Sequence, residues 1–542
     1  MTTTFGSGTA QPANGIRPDE HDGPVVQTSL QGFYDTLTAL DAPCYVVRTR
    51  SGTGLTTIRP DDDATVVAAV GPLPAEQLGS STFRACHGVR YAYMGGAMAG
   101  GIASEDYVIA LAKAGCLGSF GAAGLLPERV EAALQRFQAE IPGLPFAANL
   151  IHSPSEEELE RAAVELFLKY GVRCVEASAF MDVTAHIVRY RVAGLARTED
   201  GRVLIGNRVI AKVSRAEVAE KFIRPAPAAI VSDLLARGLI THDQAELAKF
   251  VPLADDITAE ADSGGHTDRR PLTTLFPSIV RRRDQLQAEL GYPVPVRVGA
   301  AGGIGTPTAA AAAFAMGADY VVTGSVNQSC LEAGTSDEVR HLLASAGVAD
   351  VDMAPAADMF ELGVELQVLK KGSMFAMRAK RLYELYRAYD GIDALPADER
   401  ARLEQQILRR SVDEVWQEVV AYFTRRDPAQ LTRAADEPKR KMALVFRWYL
   451  GMASRWAVVG EADRTLDYQI WCGPAMGSFN EWVRGSYLAA AENRRVADVA
   501  MNLMYGAAFT TRIQQLALVG VRVPRTCADY RPAPADGSDG EL

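Results

Sequence analysis

The sequence has few of the features that mark disulfide-rich, metal-binding or nucleotide-hydrolysing proteins. Its 542 residues include only seven cysteines. They are scattered without close pairs, at Cys44, Cys86, Cys116, Cys174, Cys330, Cys472 and Cys527. That spacing argues against a zinc site or a disulfide frame and favours reduced thiols. No P-loop, G-x-S-x-G elbow, CxxC pair or histidine-rich metal spacing occurs. We therefore predict no metal site.

Long apolar runs and an excess of positive charge are also missing. The alanine-rich stretch at 308–318 is interrupted by Gly317 and followed by Asp319, long before a bilayer would be spanned. The formal net charge of −10 disfavours broad electrostatic binding to nucleic acid or an anionic membrane. No basic start followed by an apolar run opens the chain. We expect a soluble, cytoplasmic protein with no nucleic-acid or membrane partner.

Short apolar runs alternate with helical patterns from about residue 90 onward. Eight runs can be counted, at 91–94, 117–124, 146–151, 172–179, 209–214, 255–262, 296–303 and 320–325. Parallel strands need crossover helices, so this alternation predicts a parallel sheet. Eight strand–helix units predict an α/β fold whose sheet closes into a (β/α)8 TIM barrel.

The remaining segments predict the domain organisation. Residues 217–254, between the fifth and sixth strands, contain at least two helical pieces and predict a helical insertion. After about residue 340, amphipathic helical patterns dominate. We predict a disordered tail at 1–24, a mixed β region at 25–90, the barrel at 91–345, a mostly helical substrate or lid domain at 346–527, and a disordered tail at 528–542.

Glycine-rich segments follow the seventh and eighth predicted strands. The seventh ends in GAAGGIGTP at 299–307 and the eighth in VVTGSVNQ at 321–328. In such barrels the chemistry lies at the carboxyl ends of the strands, and the last two ends form the phosphate site of barrels that bind FMN or phosphorylated substrates. Glycine lets backbone N–H groups approach an anion closely. Together the two ends favour phosphate binding over plain turns.

Two further strands carry polar or glycine-rich features. The first strand ends in MGGAMAGGIAS at 94–104, which is either a flexible loop or a backbone cradle around a flat ring. On the fifth strand, Lys212 lies in the apolar context VIAKVS, where a lysine needs a partner or a shifted pKa. It either compensates negative charge on a reduced flavin at N1 or pairs structurally with a carboxylate such as Glu176.

The segment EADSGGHTDRRPL at 260–272 places a histidine just past the sixth strand and behind two glycines. A lone histidine is usually structural, but the rim position of His266 makes it the main candidate for catalysis. Gly264 and Gly265 would let the backbone pass close to a flat cofactor and direct the imidazole toward it. Cys330 lies just past the eighth strand and is expected to pack rather than react.

Taken together, these segments resemble the FMN-dependent barrel reductases related to nitronate monooxygenases and to the flavin-type bacterial enoyl-acyl-carrier-protein reductases. The shared motifs are the GG loop after strand one, AANL, SGGH, AAGGIGTP and VVTGS. More narrowly, the chain is similar to the trans-acting enoyl reductases that serve polyunsaturated-fatty-acid and polyketide synthases. The narrower likeness covers about residues 30–525 and includes NRVIAKVSR and IWCGPAMGSFNEWVRGSY at 470–487.

The resemblance implies FMN as bound cofactor, NADPH or NADH as hydride donor, and a 2-enoyl thioester on an acyl carrier protein as acceptor. His266 corresponds to the histidine of the GGH motif and is predicted to be catalytic together with Lys212. The residues predicted to border the flavin are Met94, Gly95, Gly96, Asn149, Lys212, Gly264 and Gly265. Those predicted to hold its phosphate are Gly302, Gly303, Gly324 and Ser325.

The resemblance also implies partners and leaves alternatives. A carrier protein is usually acidic, so we expect a basic docking face, with candidates at Lys370, Lys371, Arg378, Lys380, Arg381, Lys439, Arg440 and Lys441. The insertion at 217–254 and the motif at 470–487 are expected to line an acyl channel, although WCGPAMGSF is equally consistent with core packing. A flavin oxidase of the nitronate type, a non-catalytic scaffold of a synthase complex and a homodimer remain open.

Overall fold

The N-terminal region forms a small antiparallel sheet and two helices. The computed structural model describes residues 25–50, 52–61, 65–152 and 157–534. The first elements are α1 (Leu30–Thr38), β1 (Cys44–Thr49), β2 (Gly52–Thr56), β3 (Val66–Val70) and α2 (Ser81–His87). Strand β1 pairs antiparallel with both β2 and β3. The region predicted to be mixed β therefore also contains helices.

All eight predicted parallel strands are present and close into a barrel. In chain order the elements are β4 (Tyr93–Gly95), α3 (Glu105–Lys113), β5 (Leu117–Phe120), α4 (Pro127–Glu140), β6 (Ala147–Ile151), α5 (Glu157–Lys169), β7 (Cys174–Ser178), α6 (Ala185–Ala193), β8 (Leu195–Arg197), β9 (Val203–Ile205), β10 (Arg208–Val213), α7 (Ala216–Ile223), α8 (Ala228–Ala236), α9 (His242–Leu247), β11 (Asp256–Glu260), β12 (Gly265–His266), α10 (Leu272–Leu290), β13 (Arg297–Ala301), α11 (Pro307–Ala315), β14 (Val321–Thr323) and α12 (Ser325–Gln328). The barrel order is β4-β5-β6-β7-β10-β11-β13-β14, closing on β4. This confirms the (β/α)8 barrel.

Local sequence explains where several of these helices begin. The side chain of Ser104 accepts a hydrogen bond from the backbone N–H of Tyr107 and caps α3. Thr306 caps α11 in the same way, and Pro307 occupies its first turn. A capping oxygen satisfies one of the N–H groups that a helix start leaves free, and proline lacks that N–H. The helical insertion is also present, since α8 and α9 lie between β10 and β11.

Apolar side chains fill the barrel, and α2 closes its N-terminal end. Leu117, Ala147 and Ile210 belong to the buried interior cluster. Phe83 of α2 belongs to the same cluster and stacks on Tyr320, with ring centroids 4.2 Å apart. Chemistry is therefore confined to the opposite end, where the strands terminate.

The C-terminal region is mostly helical but contributes a strand pair to the barrel rim. Its elements are α13 (Asp337–Ala344), β15 (Val351–Pro355), β16 (Glu365–Leu369), α14 (Phe375–Ala388), α15 (Ala397–Arg402), a π-helical segment (Leu403–Leu408), α16 (Val412–Arg426), α17 (Pro428–Asp436), α18 (Pro438–Val459), α19 (Ala475–Trp482) and α20 (Val496–Leu518). Strand β16 pairs with β15 and with β12. The prediction for 346–527 missed these strands, and only the contact of β16 with β12 joins segments that are distant in sequence.

The last long helix belongs to the outer layer of the barrel. Helix α20 packs against α11 and α3, the crossover helices that follow the seventh and first barrel strands. A Cβ on Gly506 would come within 2.5 Å of Pro307, so the two helices approach closely. Helix α12, after the eighth strand, has only four residues. Helix α20 thus occupies the place of an eighth crossover helix, so this part of the predicted 346–527 domain belongs to the outer layer of the barrel.

The part of the predicted C-terminal tail that the structure describes packs on this layer. The backbone N–H of Ala533 donates to Asn502, and the carbonyl of Tyr530 accepts from the indole of Trp482. The rest of that tail, at 535–542, and the predicted tail at 1–24 lie outside the described residues. Over the described ranges, no helix is long and apolar enough to cross a bilayer.

Candidate active site

A layer of polar side chains lines the barrel mouth, by which we mean the carboxyl ends of the barrel strands and the loops that follow them. Side chains two residues apart on a strand share a face, so the residues after the interior cluster also point inward. By that alternation, five neighbouring strands contribute Ser119, Asn149, Glu176, Lys212 and Glu260. The apolar interior therefore ends in a polar surface.

Lys212 pairs with Glu260 across neighbouring strands. The Nζ–Oε1 distance is 2.9 Å, and both side chains are largely buried. Burial lowers the pKa of Lys212, but the nearby carboxylates of Glu260 and Glu176 outweigh it and raise the pKa above its usual value. The lysine therefore stays charged at neutral pH. Its direct partner is Glu260 rather than the predicted Glu176.

Glu176 and Asn149 lie beside this pair. The amide of Asn149 donates to the backbone carbonyl of Glu176 and to the hydroxyl of Ser178, at 3.0 Å each. Oε2 of Glu176 accepts the backbone N–H of Ala97 at 2.8 Å. Within the described ranges, Oε1 of Glu176 and the hydroxyl of Ser119 have no hydrogen-bond partner although both atoms are buried. The mouth therefore holds two polar atoms that the protein leaves unsatisfied.

His266 lies at the rim and is held by a residue distant in sequence. Gly265 and His266 pair with Gln367 and Leu366 of β16. The Nε2 atom of His266 lies 3.2 Å from Oδ1 of Asp358, in the loop between β15 and β16. Burial lowers the pKa of His266, but the hydrogen bond and charge of Asp358 raise it to a net value above normal. The ring is thus biased toward its protonated form.

Gly264, two residues before His266, admits the protein's own backbone, whereas a Cβ on Gly265 would meet only the side chain of Trp471 at 3.9 Å. A Cβ on Gly264 would lie 2.7 Å from the backbone nitrogen of Cys472. On the other side, the backbone N–H of Gly473 donates to the hydroxyl of Ser325 at 2.9 Å. The segment WCGPAM at 471–476 therefore packs directly on the loops after strands six and eight. It closes one side of the mouth. The segment therefore packs against the barrel and borders the site at the same time.

The loops after strands seven and eight carry glycines that leave space beside the backbone. Gly302 and Gly303 both have positive φ, at +83° and +74°. Such angles are unfavourable for residues with a Cβ. A Cβ on Gly303 or Gly324 would contact nothing within 4 Å. Open space therefore faces both loops where the phosphate was predicted.

The residues predicted after strand one divide into two groups. Gly96 lies at the mouth, where an added Cβ would approach Val322 at 2.9 Å and Oε1 of Glu176 at 3.9 Å. Gly95 faces outward, since its Cβ would lie 2.3 Å from the hydroxyl of Tyr107 on α3. Met94 is fully buried in the barrel interior. Of these three, only Gly96 borders the mouth directly.

Three further titratable side chains of the chain are already paired or are buried. His87 bonds Asp256 at the closed end of the barrel, with an Nε2–Oδ2 distance of 2.8 Å. His152 pairs with Glu160 of α5 at 2.9 Å. Cys330 is buried, and burial raises the pKa of its thiol well above normal, as expected for a packing residue. Among the residues described, no cluster of histidine, cysteine or acidic side chains could hold a metal ion.

Two residues of the site were missed from the sequence for different reasons. Glu260 could have been predicted from the sequence. Asp256, Thr258 and Glu260 alternate with apolar residues, so all three share the inward face of β11. Asp358 could not have been. It lies 92 residues from its partner His266, in a loop without a motif.

The mouth fits a flavin. It offers a polar layer with two unsatisfied buried atoms, a stretch of backbone without a side chain at Gly96, and open loops at Gly303 and Gly324. A flat ring with several polar atoms matches the first two features, and a phosphate matches the third. The fold and these residues define a barrel oxidoreductase of the flavin-binding type.

Comparison with known proteins agrees with that class. Residues 82–379 match the nitronate monooxygenase family, and residues 389–468 match the inserted helical domain of acyl-carrier-protein S-malonyltransferase. The chain belongs to the nitronate monooxygenase family, whose members are flavin-dependent oxidoreductases.

Individual relatives show which proteins within and beyond that family the chain is most usefully compared with. The chain is similar to the enoyl reductase domain of MlnA from the macrolactin biosynthesis cluster of Bacillus amyloliquefaciens, with 37% identity, a TM-score of 0.79, and coverage of 82% of this chain and 100% of that one. It is 49% identical over 501 residues to a polyunsaturated fatty acid synthase polypeptide of Thraustochytrium sp., covering 91% of this chain and 33% of that protein. It is 45% identical over 433 residues to polyketide biosynthesis protein PksE of Bacillus subtilis, covering 80% and 56%. The chain thus spans about a third of the length of the Thraustochytrium relative and about half of the length of PksE.

Proposed function

We propose that this protein is a trans-acting, FMN-dependent enoyl reductase of a polyketide or polyunsaturated fatty acid synthase. It would use NADPH or NADH to reduce a 2-enoyl thioester carried by an acyl carrier protein. The observation that carries the proposal is the His266–Asp358 pair at the rim, next to the charged Lys212–Glu260 pair. The likeness to the MlnA enoyl reductase domain supports the same reaction.

The chain's own residues would hold the cofactor at the mouth. Gly302, Gly303, Gly324 and Ser325 would receive the phosphate, because Gly303 and Gly324 face open space and Ser325 carries a hydroxyl. Gly96 and Asn149 would border the ring, and Lys212 would bring positive charge to it. When bound, the flavin supplies hydride exchange between a nicotinamide and a carbon–carbon double bond.

His266 would act on the substrate carbonyl. Its Nε2 atom faces Asp358, and across the described chain Nδ1 makes no hydrogen bond. The imidazolium can therefore donate from Nδ1 to the thioester oxygen, on which negative charge develops as the β-carbon gains hydride. The same group can deliver a proton, since Asp358 raises its pKa above the usual value and so favours the protonated form.

The basic residues predicted to dock a carrier protein are mostly engaged within the chain. Lys380 bonds Asp352 at 2.8 Å, and Arg378 pairs with Asp467. The side chain of Lys439 donates to the carbonyl of Tyr389 at 2.6 Å. These contacts weaken the assignment of both clusters as free docking faces. The carrier protein stays the proposed partner because the relatives are polyunsaturated fatty acid and polyketide synthesis proteins.

The proposal is tested by separating reductase from oxidase activity. The purified protein is loaded with FMN and supplied with NADPH and crotonyl thioester, and in parallel with nitroalkane and oxygen. We expect NADPH consumption that depends on the enoyl thioester, with saturated product. Oxygen uptake with nitroalkane and no enoyl turnover would instead support a nitronate-type oxidase. Failure to take up FMN would support a non-catalytic scaffold.

A further inference from the structure

Glu176 carries an unsatisfied carboxylate oxygen in the barrel mouth. Only 1% of the residue is exposed, and its Oε1 atom has no partner among the residues that the structure describes. Leaving a buried charged acceptor unpaired is strongly unfavourable. Other deeply buried carboxylates avoid that cost, since Asp256 uses both oxygens with Arg297 and His87. The free oxygen of Glu176 therefore requires an explanation.

The position of Glu176 indicates a ligand rather than a packing defect. Its other oxygen is fixed by the N–H of Ala97, so the carboxylate cannot turn to find another donor without losing that bond. Lys212 is close enough to interact electrostatically with Glu176, but its ammonium group donates to Glu260 instead. Oε1 lies 3.9 Å from the place where a Cβ on Gly96 would stand, and so lies beside the stretch of backbone that borders the mouth. The oxygen thus faces the space where the ring is proposed to lie.

We infer that Oε1 of Glu176 accepts the hydrogen bond of the N3–H group of the isoalloxazine ring. The inference rests on the proposed function, since it assumes that a flavin occupies the mouth. Oxidised isoalloxazine has a single ring N–H, at N3, and a carboxylate is the strongest acceptor for it that a protein can offer. The acceptor selects an FMN ring with a free N3–H. Its negative charge also disfavours the gain of negative charge on the ring, which lowers the reduction potential of bound FMN.

The test compares FMN with N3-methyl-FMN, which lacks the N–H. Apoprotein is titrated with each cofactor, following flavin fluorescence, for the wild type and for Glu176→Gln. A hydrogen bond to a charged partner contributes about 1.5–3 kcal/mol, so we expect the wild type to prefer FMN by about 10- to 100-fold. In Glu176→Gln the preference should largely disappear, and the midpoint potential of bound FMN should rise.

Glu105→Gln is the matched control, because Glu105 is also buried but pairs with Arg129 on the outside of the barrel. It should retain both the preference and the potential. Equal binding of FMN and N3-methyl-FMN by the wild type would overturn the inference even if Glu176→Gln does not fold. So would an unchanged preference in a folded Glu176→Gln. Failure of the wild type to bind either flavin would instead contradict the proposed function.

Discussion

The two ends of the barrel differ in whether their buried carboxylates are fully paired. At the closed end, Asp256 is fully buried, and its two oxygens are held by Arg297 at 2.6 and 2.8 Å and by His87 at 2.8 Å. At the mouth, Glu176 is equally buried but keeps one oxygen unpaired. The protein thus neutralises charge where it needs a sealed base and leaves it available where a ligand is expected. Substitutions at the two ends should therefore separate stability from activity.

The largest effect is expected at the mouth, on turnover. His266→Ala should lower enoyl reduction by about 10²- to 10⁴-fold, the usual range for losing a general acid. Free energy of unfolding should change little, because the His266–Asp358 pair is partly exposed. Turnover of crotonyl thioester, bound FMN and urea unfolding would be measured together. Near wild-type turnover with full FMN content would remove His266 from the mechanism.

At the closed end, the large effect is expected on stability. Arg297→Met removes the bidentate partner of Asp256 and leaves a buried carboxylate with only His87, which should cost about 3–5 kcal/mol in urea unfolding. Arg224→Met is the control, since Arg224 forms more exposed pairs with Glu220 and Glu289 and should cost no more than about 1 kcal/mol. Equal losses in the two variants would show that the closed end has no special role.

The contribution of the same ion cluster, Asp256 with Arg297 and His87, to stability should depend on pH. Burial raises the pKa of Asp256, but the charges of Arg297 and His87 outweigh it and lower the pKa to about 2. A depressed carboxyl pKa gives stability that is present above the unfolded value, near 4, and is lost as pH falls toward 2; the loss should be about 2 kcal/mol. Urea unfolding at pH 4, 3 and 2 should show a smaller decrease for Asp256→Asn than for the wild type, and parallel decreases would contradict the assignment.

The smallest effect is expected from the carboxylate behind His266. Asp358 raises the pKa of His266, so Asp358→Asn should move the titration of the imidazole to lower pH. Activity that needs the imidazolium should then decline at a lower pH than in the wild type, because the basic limb follows that pKa. The NMR titration of the His266 ring and the pH–rate profile would be compared. An unchanged titration would show that Asp358 does not act on the ring.

The barrel itself could be predicted because its signals are local. Each strand is a short apolar run, and each helix has its own periodicity and cap, as at Ser104 and Thr306. The positions of His266 and Lys212 followed from counting strands to the carboxyl ends. The glycine loops after strands seven and eight followed in the same way.

Contacts between distant segments could not be predicted from such local signals. Asp358 reaches His266 through the strand pairing of β12 with β16, and no motif marks either short strand. The close approach of Cys472 to Gly264 depends on the placement of the C-terminal region on the barrel. Helix α20 looked like part of a separate helical domain, because amphipathicity shows that a helix has a buried face but not what covers it.

In the proposed reaction, hydride passes at the mouth from a nicotinamide to an enoyl thioester by way of FMN. An anaerobic stopped-flow experiment on the FMN-loaded protein tests it most directly. NADPH should bleach the flavin absorbance, and a second mixing with an enoyl thioester on a carrier protein should restore it with formation of the saturated acyl group. Flavin that stays reduced after the enoyl thioester is added, but is reoxidised by oxygen, would contradict the claim.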